Sequence, residues 1–174
     1  MQLEELTWKQ LDALDRNKTI VFIPISPLEE HGPHLPLGTD LLTARDAAKE
    51  TIRLISKKKP EYISVLFPPI PLGYSKMSSD FPGTVSTQVK IIKTIIFDIC
   101  DSLAKFGFKY IVVCTFHMAL GHLKGIYSGM NKAMKNHPIH IIEPWGPYFY
   151  SKEVEKREPQ VGFDTKKEVH ACFR

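Results

Sequence analysis

The sequence predicts an α/β protein, a three-layer α/β/α sandwich around a mostly parallel central sheet. Three observations carry this. Short apolar runs rich in β-branched residues recur along the chain, as buried strands do. Segments with apolar residues at helical spacing separate those runs. No internal repeat or low-complexity stretch interrupts the alternation, and a βαβα order favours parallel strands with helices on both faces.

Thr19 to Ile25 is the first strand. Asp40 to Ser56 follows as a helix, with Leu41, Ala44, Ala48, Ile52 and Ile55 on one stripe and Pro60 beyond its end. Tyr62 to Phe67 is the second strand, stopped by Pro68 and Pro69. An irregular stretch then passes through Pro71, Gly73, Pro82 and Gly83. Ser86 to Lys105 is the clearest helix, striped by Val89, Ile92, Ile96, Ile99 and Leu103, and Gly107 lies past its end. Lys109 to Thr115 is the third strand. Leu120 to Asn136 reads as a helix despite Gly121, Gly125 and Gly129, each of which costs about 1 kcal/mol relative to alanine. Pro138 to Ile142 is the fourth strand.

A length of 174 residues with 43% hydrophobic content suits one domain, residues 1–174, with its own core. The net charge is only +4, and Lys57-Lys58-Lys59 reads as a solvated face. No basic stripe interleaved with aromatics appears, so nucleic acid is not an expected partner. Three cysteines, Cys100, Cys114 and Cys172, make no disulfide framework, and the first two sit in apolar surroundings as small core residues. The N-terminus lacks a signal core and no apolar run is long enough to span a bilayer. The expected location is the cytoplasm, with no membrane partner.

Ligands of open parallel sheets bind where strands end at their carboxyl side. The first strand runs into Ser26-Pro27-Leu28-Glu29-Glu30-His31-Gly32-Pro33-His34-Leu35-Pro36-Leu37-Gly38-Thr39-Asp40, a loop dense in ligand types. In extended chain Glu29 and His31 project to the same side. Pro33 and Pro36 stiffen the loop, and Asp40 stands at a helix start, where its carboxylate either caps backbone N–H groups or binds a metal. Two carboxylates and an imidazole form a donor set suited to Zn²⁺, Mn²⁺ or Fe²⁺.

The stretch from Glu29 to Asp40 resembles the signature of the creatininase family. Leu6-Thr7-Trp8 is similar to the family's N-terminus, Gly73-Tyr74-Ser75 with Phe81-Pro82-Gly83-Thr84 to its Gly-x-Ser…Phe-Pro-Gly-Thr loop, His117 to the histidine of its Asn-Gly-His motif, and His170-Ala171 to its late His-Ala-Gly motif. The resemblance implies an α/β/α fold with one or two divalent ions, commonly a homo-hexamer, opening the C–N amide bond of a small cyclic amide or formamide. It implies Glu29 and His117 as ligands of one ion, His31 of the other, and Asp40 as the bridge. A metal-bound hydroxide would attack the carbonyl carbon, and His170 would pass a proton to the departing nitrogen.

The chain departs from the family pattern at four places. Ala119 stands where creatininase supplies a glutamate ligand, with His122 as the nearest substitute. Met77 and Ser78 replace a Glu-His pair. Cys172 replaces the glycine after His170-Ala171. The family's further C-terminal segment is not seen after Arg174. Two readings therefore stand side by side: a metal-dependent amidohydrolase, and a catalytically degenerate relative that binds a metal or ligand or serves assembly. Trp145, Tyr148 and Phe149 form either an aromatic lid over a flat substrate or ordinary core and contact residues.

Overall fold

The computed structural model describes residues 1–150. Four parallel strands, β1 (Thr19–Pro24), β2 (Ile63–Leu66), β3 (Tyr110–Cys114) and β4 (His140–Ile142), form one sheet in the order β2-β1-β3-β4. β1 sits inside it, with Val21 opposite both Val65 and Ile111. Ile111 in turn stands opposite Ile141. Because strand side chains alternate, this register sends Val21, Val65, Ile111 and Ile141 to one face, and Phe22, Leu66 and Val112 to the other.

Helices cover both faces. α2 (Thr39–Lys58) buries Ala44 and Ala48 against Phe22, Leu66 and Cys114, with Ile52 and Ile55 at the edge of that cluster. α3 (Val89–Lys105) and α4 (Leu120–Asn136) lie on the opposite face, where Ile92, Ile96, Cys100, Leu103, Ile126, Met130 and Ala133 pack onto the row led by Val21. This is the α/β/α layering the alternation predicts. Cys100 and Cys114 are buried, as their apolar neighbours require. Among the described residues, no helix is long and apolar enough to cross a membrane.

The glycines of α4 are explained by its packing on α3. A Cβ added to Gly129 would stand 2.7 Å from the Lys93 carbonyl oxygen and 2.9 Å from Ile96 Cβ. One added to Gly125 would stand 2.9 Å from Ile92 Cβ. The bare backbone lets the two helices approach closely, which offsets the propensity penalty.

The chain ends of the elements differ from the sequence expectation for local reasons. A 3₁₀ turn at Leu3–Glu5 and a short α1 (Trp8–Asp12) precede β1. α1 is too short to show a stripe, but Thr7 and Gln10 form a capping box, a signal that the sequence does carry. α3 begins at Val89, not Ser86, because the preceding residues are held extended: Thr87 N–H donates to the Gly73 carbonyl (2.7 Å) and the Ser75 N–H to Ser86 Oγ (2.9 Å). A last helix, α5 (Trp145–Phe149), follows β4.

β1 and β3 are neighbours though not consecutive. The chain leaves β1 on one side to make β2 and comes back on the other to make β3. Their carboxyl ends therefore flank a topological switch point, the place where open α/β sheets bind ligands.

Candidate metal centre

Two loops and one helix start meet at that switch point. The loop after β1 carries Glu29 and His31 and is tied back by Glu29 N–H to the Leu37 carbonyl (3.0 Å). It is also stitched to the loop after β2: Leu28 bridges Val85, and Glu30 N–H donates to Thr84 Oγ1 (3.1 Å). Gly83 takes φ 90°, a conformation that a side chain disfavours, and the Leu37 side chain fills the space a Cβ would need. The Glu29–Asp40 stretch and the Phe81–Thr84 stretch are thus one interlocked unit.

Asp40 lies in the first turn of α2, but it does not cap the helix: the N-cap is Gly38, with no side-chain cap. Its carboxylate is turned inward instead, one oxygen to each of two histidines. Oδ1 is 3.1 Å from His31 Nε2, and Oδ2 is 3.1 Å from His117 Nδ1. His117 comes from the loop after β3 and is buried. Glu29 Oε1 lies 3.3 Å from the same His117 Nδ1 and 3.9 Å from His31 Nε2. The four residues are therefore brought together from the ends of β1 and β3 and the start of α2.

Each histidine has its second nitrogen engaged by a backbone carbonyl. His31 Nδ1 donates to the Glu29 carbonyl (3.0 Å) and His117 Nε2 to that of Tyr74 (2.9 Å). A carbonyl only accepts, so these two nitrogens carry hydrogen, and the other nitrogen of each ring faces the carboxylates. Glu29 Oε2 is held by the hydroxyl of Ser75, with Ser78 Oγ 3.0 Å from Ser75 Oγ.

The electrostatics follow. Burial would raise the Asp40 carboxyl, but bonds from His117 and His31 outweigh it and hold it at about 2. The bond to Asp40 lifts His31 to about 9 against the pull of burial. Burial opposes charge on His117, yet Asp40 and Glu29 together bring it to about 9. Glu29 is lowered: burial pushes it up, and His117 and Ser75 more than compensate. In the metal-free protein, protons on the two imidazoles thus balance the two carboxylates.

The donor set fits a divalent ion. One donor atom from each of Glu29, Asp40 and His117 lies within 4.8 Å of the others. Donors ~2.1 Å from a tetrahedral ion stand ~3.4 Å apart, close to the 3.1 and 3.3 Å found around His117 Nδ1. His31 lies outside that compact trio and meets the other oxygen of Asp40.

A family model for creatinine amidohydrolase (creatininase) matches residues 4–173. The chain belongs to the creatininase family. It is 26% identical over 119 residues to creatinine amidohydrolase from Pseudomonas putida, covering 65% of this chain and 43% of that protein. It is 30% identical over 94 residues to mycofactocin precursor peptide peptidase from Mycolicibacterium smegmatis, covering 54% of this chain and 38% of the relative. The chain thus spans less than half the length of these relatives. A crystal structure of creatinine amidohydrolase superposes with TM-score 0.68 at 23% identity, covering 94% of this chain and 64% of that one. A structure named creatininase Mn gives TM-score 0.66 at 21% identity, covering 94% and 65%. These likenesses show the α/β fold.

Against the creatininase pattern, Ala119 brings no donor to the cluster, and His122 does not take its place. His122 is fully buried in the first turn of α4, and both ring nitrogens are used: Tyr74 N–H donates to Nδ1 (3.3 Å) and Nε2 faces Thr115 Oγ1 (3.1 Å). Burial pushes its pKa down to about 3, so it is neutral. Ser78, in place of a family histidine, contributes a hydroxyl beside Glu29. These supporting groups escaped the sequence reading because most reach their partners only across loops, and two of those that orient the histidines, at Glu29 and Tyr74, are backbone carbonyls. His170 and Cys172 lie outside the described residues.

The aromatic residues after β4 sit beside the loop that carries His117. Buried Glu143 accepts from Trp145 N–H (2.7 Å), Gly146 N–H (2.9 Å) and Tyr127 Oη (2.7 Å), which anchors α5. Trp145 then packs on Phe116 with ring centroids 4.8 Å apart, and Tyr150 Oη donates to the Met118 carbonyl (2.7 Å).

Proposed function

We propose that this protein is a metal-dependent amidohydrolase that cleaves a C–N amide bond of a small cyclic amide or formamide. The observation that carries the reading is Asp40, whose two oxygens face His31 and His117 while Glu29 closes on the same nitrogen of His117. Glu29, Asp40 and His117 would hold one divalent ion (Zn²⁺, Mn²⁺ or Fe²⁺), and His31 with the other oxygen of Asp40 a second. Such an ion polarises a carbonyl and makes water nucleophilic near neutral pH.

The chain's own residues do the rest. The Glu29 and Tyr74 carbonyls orient the two imidazoles. Ser75 and Ser78 fix the Glu29 carboxylate. Trp145, Tyr148 and Phe149 are proposed as an aromatic cover for a flat substrate, with Trp145 seated on Phe116 of the loop that carries His117. His170 is proposed to move a proton to the departing nitrogen. The working form is taken to be a cytoplasmic homo-oligomer of single-domain chains.

A second reading, a degenerate relative that binds metal without turnover, is favoured by Ala119 and by the engagement of both His122 nitrogens. A hydrolysis panel separates the two. Creatinine, a formamide and a short peptide amide are each incubated with Zn²⁺- or Mn²⁺-loaded protein and with a His31→Ala variant, and product is followed by mass spectrometry. The peptide is included because one relative is named a peptidase. Metal-dependent cleavage of creatinine or the formamide, lost in the variant, supports the first reading. Cleavage of the peptide alone transfers the substrate class to peptides. Metal binding with no cleavage selects the degenerate reading.

A further inference from the structure

We infer that His122 is a positioning residue for the metal centre, acting on His117 through the main chain of Tyr74. The inference rests on the metal-site reading above.

The Tyr74 main chain is held on both sides. Its N–H donates to His122 Nδ1 (3.3 Å), and its carbonyl accepts from His117 Nε2 (2.9 Å). Its ring is held too: a Cβ on Gly121 would stand 2.5 Å from Tyr74 Cδ1, so the ring lies directly on the α4 backbone one residue before His122. Because Nδ1 accepts from Tyr74, the single hydrogen of neutral His122 must sit on Nε2, where it points to Thr115 Oγ1 (3.1 Å). Thr115 Oγ1 is 3.2 Å from Ser26 Oγ and accepts from His117 N–H (3.3 Å). His122 thus joins the ends of β1 and β3 to the loop after β2.

The consequence for the site is directional. The Tyr74 N–H and carbonyl belong to successive peptide groups joined at its Cα, so a bond that fixes the first also holds the second in place. The His122–Tyr74 bond therefore helps the Tyr74 carbonyl keep hydrogen on His117 Nε2. That leaves His117 Nδ1, the atom 3.1 Å from Asp40 Oδ2 and 3.3 Å from Glu29 Oε1, as the ligating nitrogen. His122 would not bind the ion; it would choose the nitrogen that does.

Two substitutions take the two bonds of His122 apart. In His122→Asn the amide oxygen stands near the position of Nδ1, so the Tyr74 bond is kept and the Thr115 bond is lost. In His122→Gln the longer amide reaches the position of Nε2, so the Thr115 bond is kept and the Tyr74 bond is lost. The test titrates the full chain and both variants with Co²⁺ by calorimetry. The visible absorption of the loaded forms and the thermal melts of the metal-free forms are recorded alongside.

The expected result is a loss of about tenfold in Co²⁺ affinity with an altered spectrum for His122→Gln, and a loss of no more than about twofold for His122→Asn. Equal affinities in all three proteins would overturn the inference. So would equal losses in both variants that track their melting temperatures, since a merely structural role moves both alike. Failure of the unsubstituted chain to bind Co²⁺ would overturn the metal-site reading, and this inference with it.

Discussion

Gly129→Ala tests the packing that places α4, the helix that carries His122 and begins just past His117. On propensity alone the change should stabilise the protein by about 1 kcal/mol. The structure gives the opposite sign. The new Cβ would meet the Lys93 carbonyl oxygen at 2.7 Å and Ile96 Cβ at 2.9 Å. Both belong to the α3 backbone or its immediate branch, so neither can swing aside. Restoring a normal contact requires the helices to separate by several tenths of an ångström along a fully buried seam that includes Ile92, Ile96 and Ile126. Overpacking of this kind costs about 1–3 kcal/mol. The net expectation is a loss of up to about 2 kcal/mol, or a drop of up to about 8 °C in Tm for a chain of this size. Thermal melts of the metal-free protein read it, with an exposed control such as Ser102→Ala beside it. A rise of about 2–4 °C for Gly129→Ala, the value of the propensity gain alone, would refute the close approach of α3 and α4.

Other outcomes follow from the same structure. His31 and His117 are held up at about 9, so their stabilisation of the metal-free protein is complete below the ordinary 6.5 and is lost as pH rises through about 9. Asp40 is held at about 2, so its contribution is present above 3.8 and is lost as pH falls through about 2. Melts in chelator should peak between those limits, and stability rising from neutral pH to pH 9 would contradict the ion-pair cluster. Metal must displace the protons on His31 and His117, so calorimetry in buffers of different ionisation enthalpy should show proton release, with affinity increasing up to about pH 9. Burial pushes the Cys100 and Cys114 thiols up to about 12, so in a Cys172→Ser background a thiol reagent should label neither until the protein unfolds.

The sheet and its three long helices were legible because each rests on a repeating pattern. Val21 and Ile23 on β1, or Ile92 and Ile96 on α3, must be apolar wherever the chain packs, and the period shows through. Ile99 of the α3 stripe packs half-buried against the core, and its neighbour Cys100, expected as a small core residue, is fully buried. α1 has only five residues, too few for a period, and only its capping box marks it. The start of α3 was set by bonds to Gly73 and Ser75, which no local pattern foretells.

The site divides in the same way. Glu29, His31, Asp40 and His117 stood out because ligand-type side chains cluster at strand ends. What orients them did not stand out. The Tyr74 carbonyl has no sequence signature, and the Ser75 and Ser78 hydroxyls become meaningful only when the loop after β2 folds over Glu29. His122 was legible as a histidine but not as a buried, doubly bonded one, because its partners come from the loop after β2 and the end of β3.

The most direct test of the metal centre is elemental analysis of the purified chain, reconstituted with Zn²⁺ or Mn²⁺ and dialysed, beside an Asp40→Asn variant. The account predicts one to two equivalents of metal for the chain, and less than half of that for the variant, in which the shared carboxylate between His31 and His117 is neutralised. No retained metal in the chain, or equal content in the chain and the variant, would contradict it.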